Sequence, residues 1–310
     1  MIAYNNDGKG SWNTANVTDM SSMFYGVSAF NQNIGNWNTA NVTSLAFMFQ
    51  GAYNFNQDIG GWNTANVTTM NSTFVSATQF NQNIGNWNTL KVTSMSQMFD
   101  GYDRNINFNN GCASGDTSCT FSSSWNTVNV TSMYKMFYRN TQFNQNVGGW
   151  NTVNVANMAQ MFQNTPFNQD ISSWNTSIVT NMASMFNGAS AFNQNIAYNS
   201  STNSWNTANV TRLNGMFYGA SAFNQNIGNW NTSSVNSLDS TFYLATNFNQ
   251  DIGGWDTSNV TTFIYLFDNA YNFNQNIGGW NVSKVVDFRS AFIGAKKFNN
   301  GCAPGDTSCS

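Results

Sequence analysis

The sequence predicts an α/β solenoid, a stack of about eleven 25-residue coils, each made of one short parallel strand and one short helix. Three observations lead there. Tryptophan recurs at positions 12, 37, 62, 87, 125, 150, 174, 205, 230, 255 and 280, most often 25 residues apart. Between tryptophans the same apolar residues return in the same places, the signature of a repeat architecture. In eight of eleven intervals Gly or Asn occupies one fixed position, as at Gly26, Gly51, Gly101, Asn164, Gly188, Gly219, Asn269 and Gly294.

The unit is WNTANVTDMSSMFYGVSAFNQNIGN, residues 12–36. Val17, Met20, Met23 and Phe24 lie three and four apart, which predicts one face of a helix of about two turns. Asn16 stands where an N-cap belongs, Asp19 falls in the first turn and Gly26 takes the left-handed stop. So short a helix does not survive alone and must be held by stacking. The segment FNQNIGNW, with Phe30, Ile34 and Trp37 as its bulky residues, is read as a strand and turn. At about 4.8 Å per parallel strand, eleven coils make a rod of roughly 50 Å. An all-β coil with strands on every side is the competing reading, disfavoured by the helical spacing.

The intervals that depart from 25 mark the organisation. The 38 residues between Trp87 and Trp125 contain a three-residue insertion near Tyr102–Arg104 and a cysteine loop; the 31 between Trp174 and Trp205 contain AYNSSTNS. One array over 1–310 is expected, in blocks 12–121 (four coils and a cysteine loop), 122–204 (three coils and a spacer) and 205–310 (four coils and a second loop). Trp12 to Trp205 is 193 residues and Cys112 to Cys302 is 190. This longer period suggests a segment of a longer periodic protein.

Composition bounds the chemistry. The chain has 310 residues, 41% hydrophobic and 7% charged, with no His; all 13 acidic residues are Asp. Imidazole bases, His-rich metal sites and glutamate acids are therefore absent, and no enzyme is expected. A net charge of −3 gives no electrostatic footprint for nucleic acid. No run of 18 apolar residues is present, so no membrane insertion by this segment is expected. Met1 is followed by IAYNNDGKG, in which no secretory leader is read. No cofactor is implied, and Asp58, Asp170 and Asp251 recur too sparsely for a calcium ladder.

The four cysteines lie in two near-identical loops, FNNGCASGDTSC and FNNGCAPGDTSC. A disulfide in each, Cys112 with Cys119 and Cys302 with Cys309, is expected and implies an oxidising, secreted setting. A zinc site and unpaired structural thiols are the alternatives.

WNTANVTDMSSMF followed by FNQNIGNW, recurring along nearly the whole chain, resembles the repeat of the BspA-like leucine-rich-repeat surface proteins of bacteria and of some protists and algae. The resemblance implies a leucine-rich-repeat-like stack in an exported surface protein used in adhesion, and it brings no catalytic residues. The two cysteine loops depart from the pattern, as does the lack of a visible anchoring segment.

Regular files are read as packing first. Two Phe files, beginning at Phe24 and Phe30, are expected to stack in the core. The Asn file running from Asn31 to Asn299 is expected to bond backbone groups of adjacent coils. A Thr file from Thr14 to Thr257 raises ice binding as a minor alternative; a second rank, Thr18, Thr43 and Thr68, falls inside the expected helix. NVT triplets at Asn16, Asn41, Asn66, Asn129, Asn209 and Asn259 match the glycosylation acceptor but read as repeat consensus.

Function is sought where the repeat breaks. Tyr102, Asp103 and Arg104 in the insertion and Lys296 and Lys297 in the last coil are the candidate interface; Tyr53, Tyr138, Tyr218, Tyr243 and Tyr271 are further aromatic candidates. The expected function is a non-catalytic extracellular or cell-surface repeat protein contacting a protein or glycan on another cell. The main alternative is a stalk or filament segment whose identical subunits assemble end to end.

Overall fold

The computed structural model describes residues 12–113 and 125–302. The chain divides into two compact units, Met1–Asn146 and Val147–Ser310. The boundary falls inside the block 122–204. Five of the tryptophan-led coils belong to the first unit and six to the second.

The expected helices are absent. Among the described residues there is no α-helix, and regular pairing is confined to isolated single-residue bridges. The backbone gives the reason. The residue ten positions after each tryptophan has positive φ in all eleven coils: Ser22, Phe47, Ser72, Gln97, Lys135, Gln160, Ser184, Gly215, Ser240, Tyr265 and Ser290. One left-handed residue ends a helix, and this one stands in the middle of the expected helix. Four residues later φ is positive again in ten of the eleven, including Ser76, Arg139 and Leu244.

Each coil is a succession of tight turns. In the first, the N–H of Met23 bonds the carbonyl of Met20 at 3.3 Å, that of Tyr25 bonds Ser22 at 3.1 Å, and that of Val27 bonds Phe24 at 3.1 Å. The intervening N–H groups point out of the coil: Met20, Ser22, Phe24 and Gly26 donate to the carbonyls of Ser44, Ala46, Met48 and Gln50 in the next coil, at 2.7–3.1 Å. Donors thus alternate between closing a turn and crossing to a neighbour, which leaves none for helical i−4 bonds. Positive φ at the third residue of a four-residue turn is the type II signature. Because each turn folds residue i back over i+3, apolar residues three and four apart share the core side without a helix.

The segment read as a strand also differs. Residues 30–34 form no regular secondary structure and do not pair as a strand with the neighbouring coil. The parallel bridges run instead through the seventh residue after each tryptophan, as Asp19 to Ser44, Ser44 to Thr69, Thr69 to Ser94 and Ser94 to Ser132. Backbone stacking thus runs through the segment expected to be helical. Around Phe30 one backbone bond crosses, from the N–H of Asn54 to the carbonyl of Ser28 at 3.1 Å, and side chains supply further links. The N–H of Asn56 donates to Asn31 Oδ1 at 3.0 Å, and that of Asn81 donates to Asn56 Oδ1 at 2.9 Å.

Aromatic rings fill each unit. Phe49 and Phe55 stack within one coil, with ring centroids 4.0 Å apart, and Phe49 stacks on Phe74 of the next at 5.5 Å. Successive indoles lie nearly parallel, 6.2 Å apart for Trp62 and Trp87. Every such indole needs a partner for its buried N–H. Trp87 Nε1 donates to the carbonyl of Ile59 at 3.0 Å, and in the second unit Trp255 Nε1 donates to Ile227 at 3.1 Å.

The Thr file on which ice binding rests is buried. Thr14, Thr39, Thr64, Thr89, Thr127, Thr152, Thr176, Thr207, Thr232 and Thr257 are each 4% exposed or less. Thr39 Oγ1 donates to the carbonyl of Asn63 at 3.1 Å, so the file ties coils together and presents no rank of hydroxyls to water. The glycosylation triplets are similarly occupied. Nδ2 of Asn41, Asn66, Asn129, Asn209 and Asn259, the atom a glycan would take, donates to a carbonyl of the preceding coil at 2.7–2.8 Å.

Candidate recognition site

The insertion that breaks the repeat builds a cleft on the first unit. Gly101 opens a tight turn: the N–H of Arg104 bonds its carbonyl at 2.6 Å. A Cβ at Gly101 would lie 2.4 Å from the carbonyl oxygen of Arg104 and 2.7 Å from Cβ of Arg139, so only glycine fits. Tyr102 follows with φ of 39°. Its N–H is held by Asp100 Oδ1 at 2.6 Å and its carbonyl by Arg139 Nη1 at 3.0 Å. Asp100 is buried, and burial pushes its carboxyl above the usual range, opposed by donors from Gln97 and Tyr102. The turn is therefore anchored from beneath, and Tyr102, 65% exposed, stands out from the surface.

Beside it the cleft, about 220 Å³, is bordered by Tyr25, Tyr53, Tyr102, Gln50, Ser76 and Asp103. Arg104 lies over the ring of Tyr53, its guanidinium carbon 4.4 Å from the centroid, a cation–π contact that fixes both side chains. Ser76 Oγ donates to Asp103 Oδ1 at 3.2 Å. The Asp103–Arg104 ion pair, at 3.9 Å and half exposed, contributes little by itself. Aromatic faces, a carboxylate and an amide thus converge within one opening. Tyr102, Asp103 and Tyr53 border the opening, and Arg104 adjoins it through its contact with Tyr53.

Tyr25, 57% exposed, is a member that sequence reasoning missed, because it sits at an ordinary repeat position. The available signal was its column: Tyr138, Tyr218 and Tyr243 also follow their tryptophans by thirteen residues. Tyr134 and Lys135 were missed too. Lys135 Nζ lies 5.5 Å from the ring centroid of Tyr134 and 4.8 Å from that of Tyr138. In the second unit Tyr218 and Tyr243 approach to 4.5 Å between centroids, with Tyr265 edge-on to Tyr243 at 6.1 Å.

The last coil divides its cations. Lys284 donates to Asn259 Oδ1 at 2.8 Å, Arg289 pairs with Asp287 at 2.8 Å, and Lys296 sits over the ring of Tyr271 at 4.8 Å. Lys297 borders a polar groove. Lys296 and Lys297 belong to the second unit, and Tyr102, Asp103 and Arg104 to the first.

Cys112 and Cys302 are buried, and neither is a free thiol. Their expected partners Cys119 and Cys309 lie outside the described residues. Among the described residues no three carboxylate or thiol groups gather to hold a metal ion.

The model of the family described as "Mycoplasma protein of unknown function, DUF285" matches this chain three times in succession, over residues 2–111, 112–202 and 196–303. The three stretches carry four, three and four of the eleven tryptophans. No curated protein and no solved structure matches the chain. A turn-built coil that stacks through side-chain and backbone ladders, repeated along three consecutive family matches, places this chain in the DUF285 family as a tandem-repeat member.

Proposed function

We propose that the chain is a non-catalytic recognition protein of the cell exterior, which contacts a glycan or protein on another cell through the tyrosine cleft. The observation that carries this reading is the cleft itself. Three tyrosines, one of them ordered by Arg104, surround Asp103 where a three-residue insertion interrupts the repeat. Amphipathic rings on fixed backbone give large contact area at small entropic cost, and stacking against rings suits sugar faces as well as peptide. The resemblance to BspA-like surface repeats agrees with this use. So does the finding that neither Cys112 nor Cys302 is a free thiol, which suits an oxidising exterior.

The test is adhesion of protein-coated beads to intact cells, with binding to an immobilised glycan panel alongside. Adhesion that falls about tenfold in Tyr102→Ala and Arg104→Ala supports the cleft, as expected for loss of an interface anchor. Undiminished adhesion in both variants, or none by the parent protein, refutes it.

One observation favours end-to-end assembly as a second reading. In the last coil the N–H groups of Phe288, Ser290, Phe292 and Gly294 occupy the crossing positions and have no acceptor among the described residues. Phe288 and Ile293 beside them are exposed. Such an edge is a template for another coil. Growth of particle length with concentration under the electron microscope supports assembly of copies; single particles at all concentrations oppose it.

A further inference from the structure

The second unit carries a groove of about 660 Å³ whose border is almost wholly asparagine, and the hydrogen-bond ladder fixes how those amides point. Asn193, Asn224 and Asn249 occupy equivalent places in successive coils. The backbone N–H of Asn224 donates to Asn193 Oδ1 at 2.9 Å, that of Asn249 to Asn224 Oδ1 at 2.9 Å, and that of Asn274 to Asn249 Oδ1 at 2.8 Å. The Nε2 groups of Gln225, Gln250 and Gln275 donate to the same three oxygens at 2.9–3.0 Å. A backbone N–H is met only by an acceptor, so each amide is locked with its oxygen in the ladder. Each NH₂ is left over, and Nδ2 of these three residues donates to no group among the described residues. Asn274 differs: its Nδ2 donates to the carbonyl of Cys302 at 3.1 Å, which closes the row.

The result is one oriented, unspent donor pair per coil, repeated along the stack at about 5 Å, the spacing of parallel backbones. The border of the groove holds no carboxylate. It does hold Lys297, an exposed ammonium with no ion-pair partner among the described residues. Donors at a regular pitch, one cation and no anion select a linear ligand that offers acceptors once per repeat and carries negative charge. From this juxtaposition we infer that the groove beside Asn193, Asn224, Asn249 and Lys297 is a binding site for a linear acidic polysaccharide, whose ring and hydroxyl oxygens accept from the amide row and whose carboxylate meets Lys297. This site lies wholly in the second unit and does not depend on the tyrosine cleft of the first.

The ladder supplies a discriminating variant. Asn249→Asp keeps an oxygen for the N–H of Asn274 and the amide of Gln275, so the stack stands, but it exchanges the outward NH₂ for a second carboxylate oxygen. Titration calorimetry of the full chain with polygalacturonate oligomers, and with their methyl esters, reads the effect. The expected result is binding to the acid form that weakens with salt. It is expected to fall about tenfold or more in Asn249→Asp and in Asn224→Asp, and severalfold in Lys297→Gln, with unchanged thermal midpoints; each tenfold is about 1.4 kcal/mol. Equal binding of the methyl ester, undiminished binding in the Asp variants, or no binding by the parent chain overturns the inference. Tyr102→Ala is expected to leave this titration unchanged while reducing adhesion, so the two readings fail separately.

Discussion

Replacing Asn56 by Ala and by Asp separates an asparagine that packs from one that spans coils. In the parent chain Asn56 Oδ1 accepts from the backbone N–H of Asn81 and from Gln82 Nε2, each at 2.9 Å. Gln82 Nε2 also reaches the carbonyl of Asn56 at 3.0 Å, so it keeps a partner when the side chain is cut back. The N–H of Asn81 does not. An unsatisfied buried donor costs about 1–3 kcal/mol. Asn81 is half-buried and water reaches it in part, which places Asn56→Ala near the lower half, at about 1–2 kcal/mol. Asn56→Asp keeps the acceptor and makes it charged, so its cost at neutral pH is expected to be under about 0.5 kcal/mol. Urea denaturation followed by tryptophan fluorescence gives the comparison, read as the shift in midpoint of the transition that the variant moves. A second expectation follows from the charge. The new carboxyl is held below its unfolded pKa by two donors, so its contribution is present above that pKa and is lost as pH falls through the folded value. Equal losses for Ala and Asp at neutral pH would refute the ladder as the link between coils in this segment.

Three further outcomes are expected. Trp87→Phe removes the donor to the carbonyl of Ile59 and part of a fully buried indole, and unfolding is expected at lower urea by about 1–3 kcal/mol. The Asp100 carboxyl is raised by burial, so the folded state holds a proton that the unfolded state releases; stability therefore falls as pH rises through the unfolded value toward the folded one. Asp100→Asn should flatten that fall, measured as thermal midpoints from pH 3 upward. Gly101→Ala meets backbone at 2.4 Å, and should lower the thermal midpoint and reduce bead adhesion together, because the same turn presents Tyr102.

Much of the arrangement was legible in the sequence. The tryptophan period names the neighbours that stack, since Trp62 lies on Trp37 and Trp87 on Trp62. The Asn file was read as a link between coils, and Asn31, Asn56 and Asn81 make that link. The helix was misread for a physical reason. Apolar spacing of three and four is produced equally by consecutive four-residue turns, and the residue that decides between them, ten after each tryptophan, is Ser, Phe, Gln, Lys or Tyr in all coils but one. Only Gly215 betrays the left-handed backbone there. Left-handed conformation at a non-glycine costs about 1–2 kcal/mol, and the crossing N–H of the same residue offsets it. That compensation comes from the neighbouring coil and leaves no mark on composition. The cleft was half legible: the insertion gave Tyr102, Asp103 and Arg104, whereas Tyr25 is brought to them only by stacking.

The alternation of donors has a consequence for how this chain tolerates change in length. The alternate N–H groups of the turn segment, such as Met20, Ser22, Phe24 and Gly26, point toward the following coil and meet carbonyls at the same offset of 24 residues. Adding or deleting one whole 25-residue unit within a run of coils therefore restores every ladder with a new neighbour in the old place. An added fraction of a unit cannot do so and leaves the stack as a surface turn, as at Tyr102, whereas the one-residue shortening between Trp150 and Trp174 leaves the crossing bonds in place. The quantum of permitted growth within the stack is the coil, and an insertion that is not a whole coil is pushed to the surface, where it is free to acquire a specificity of its own.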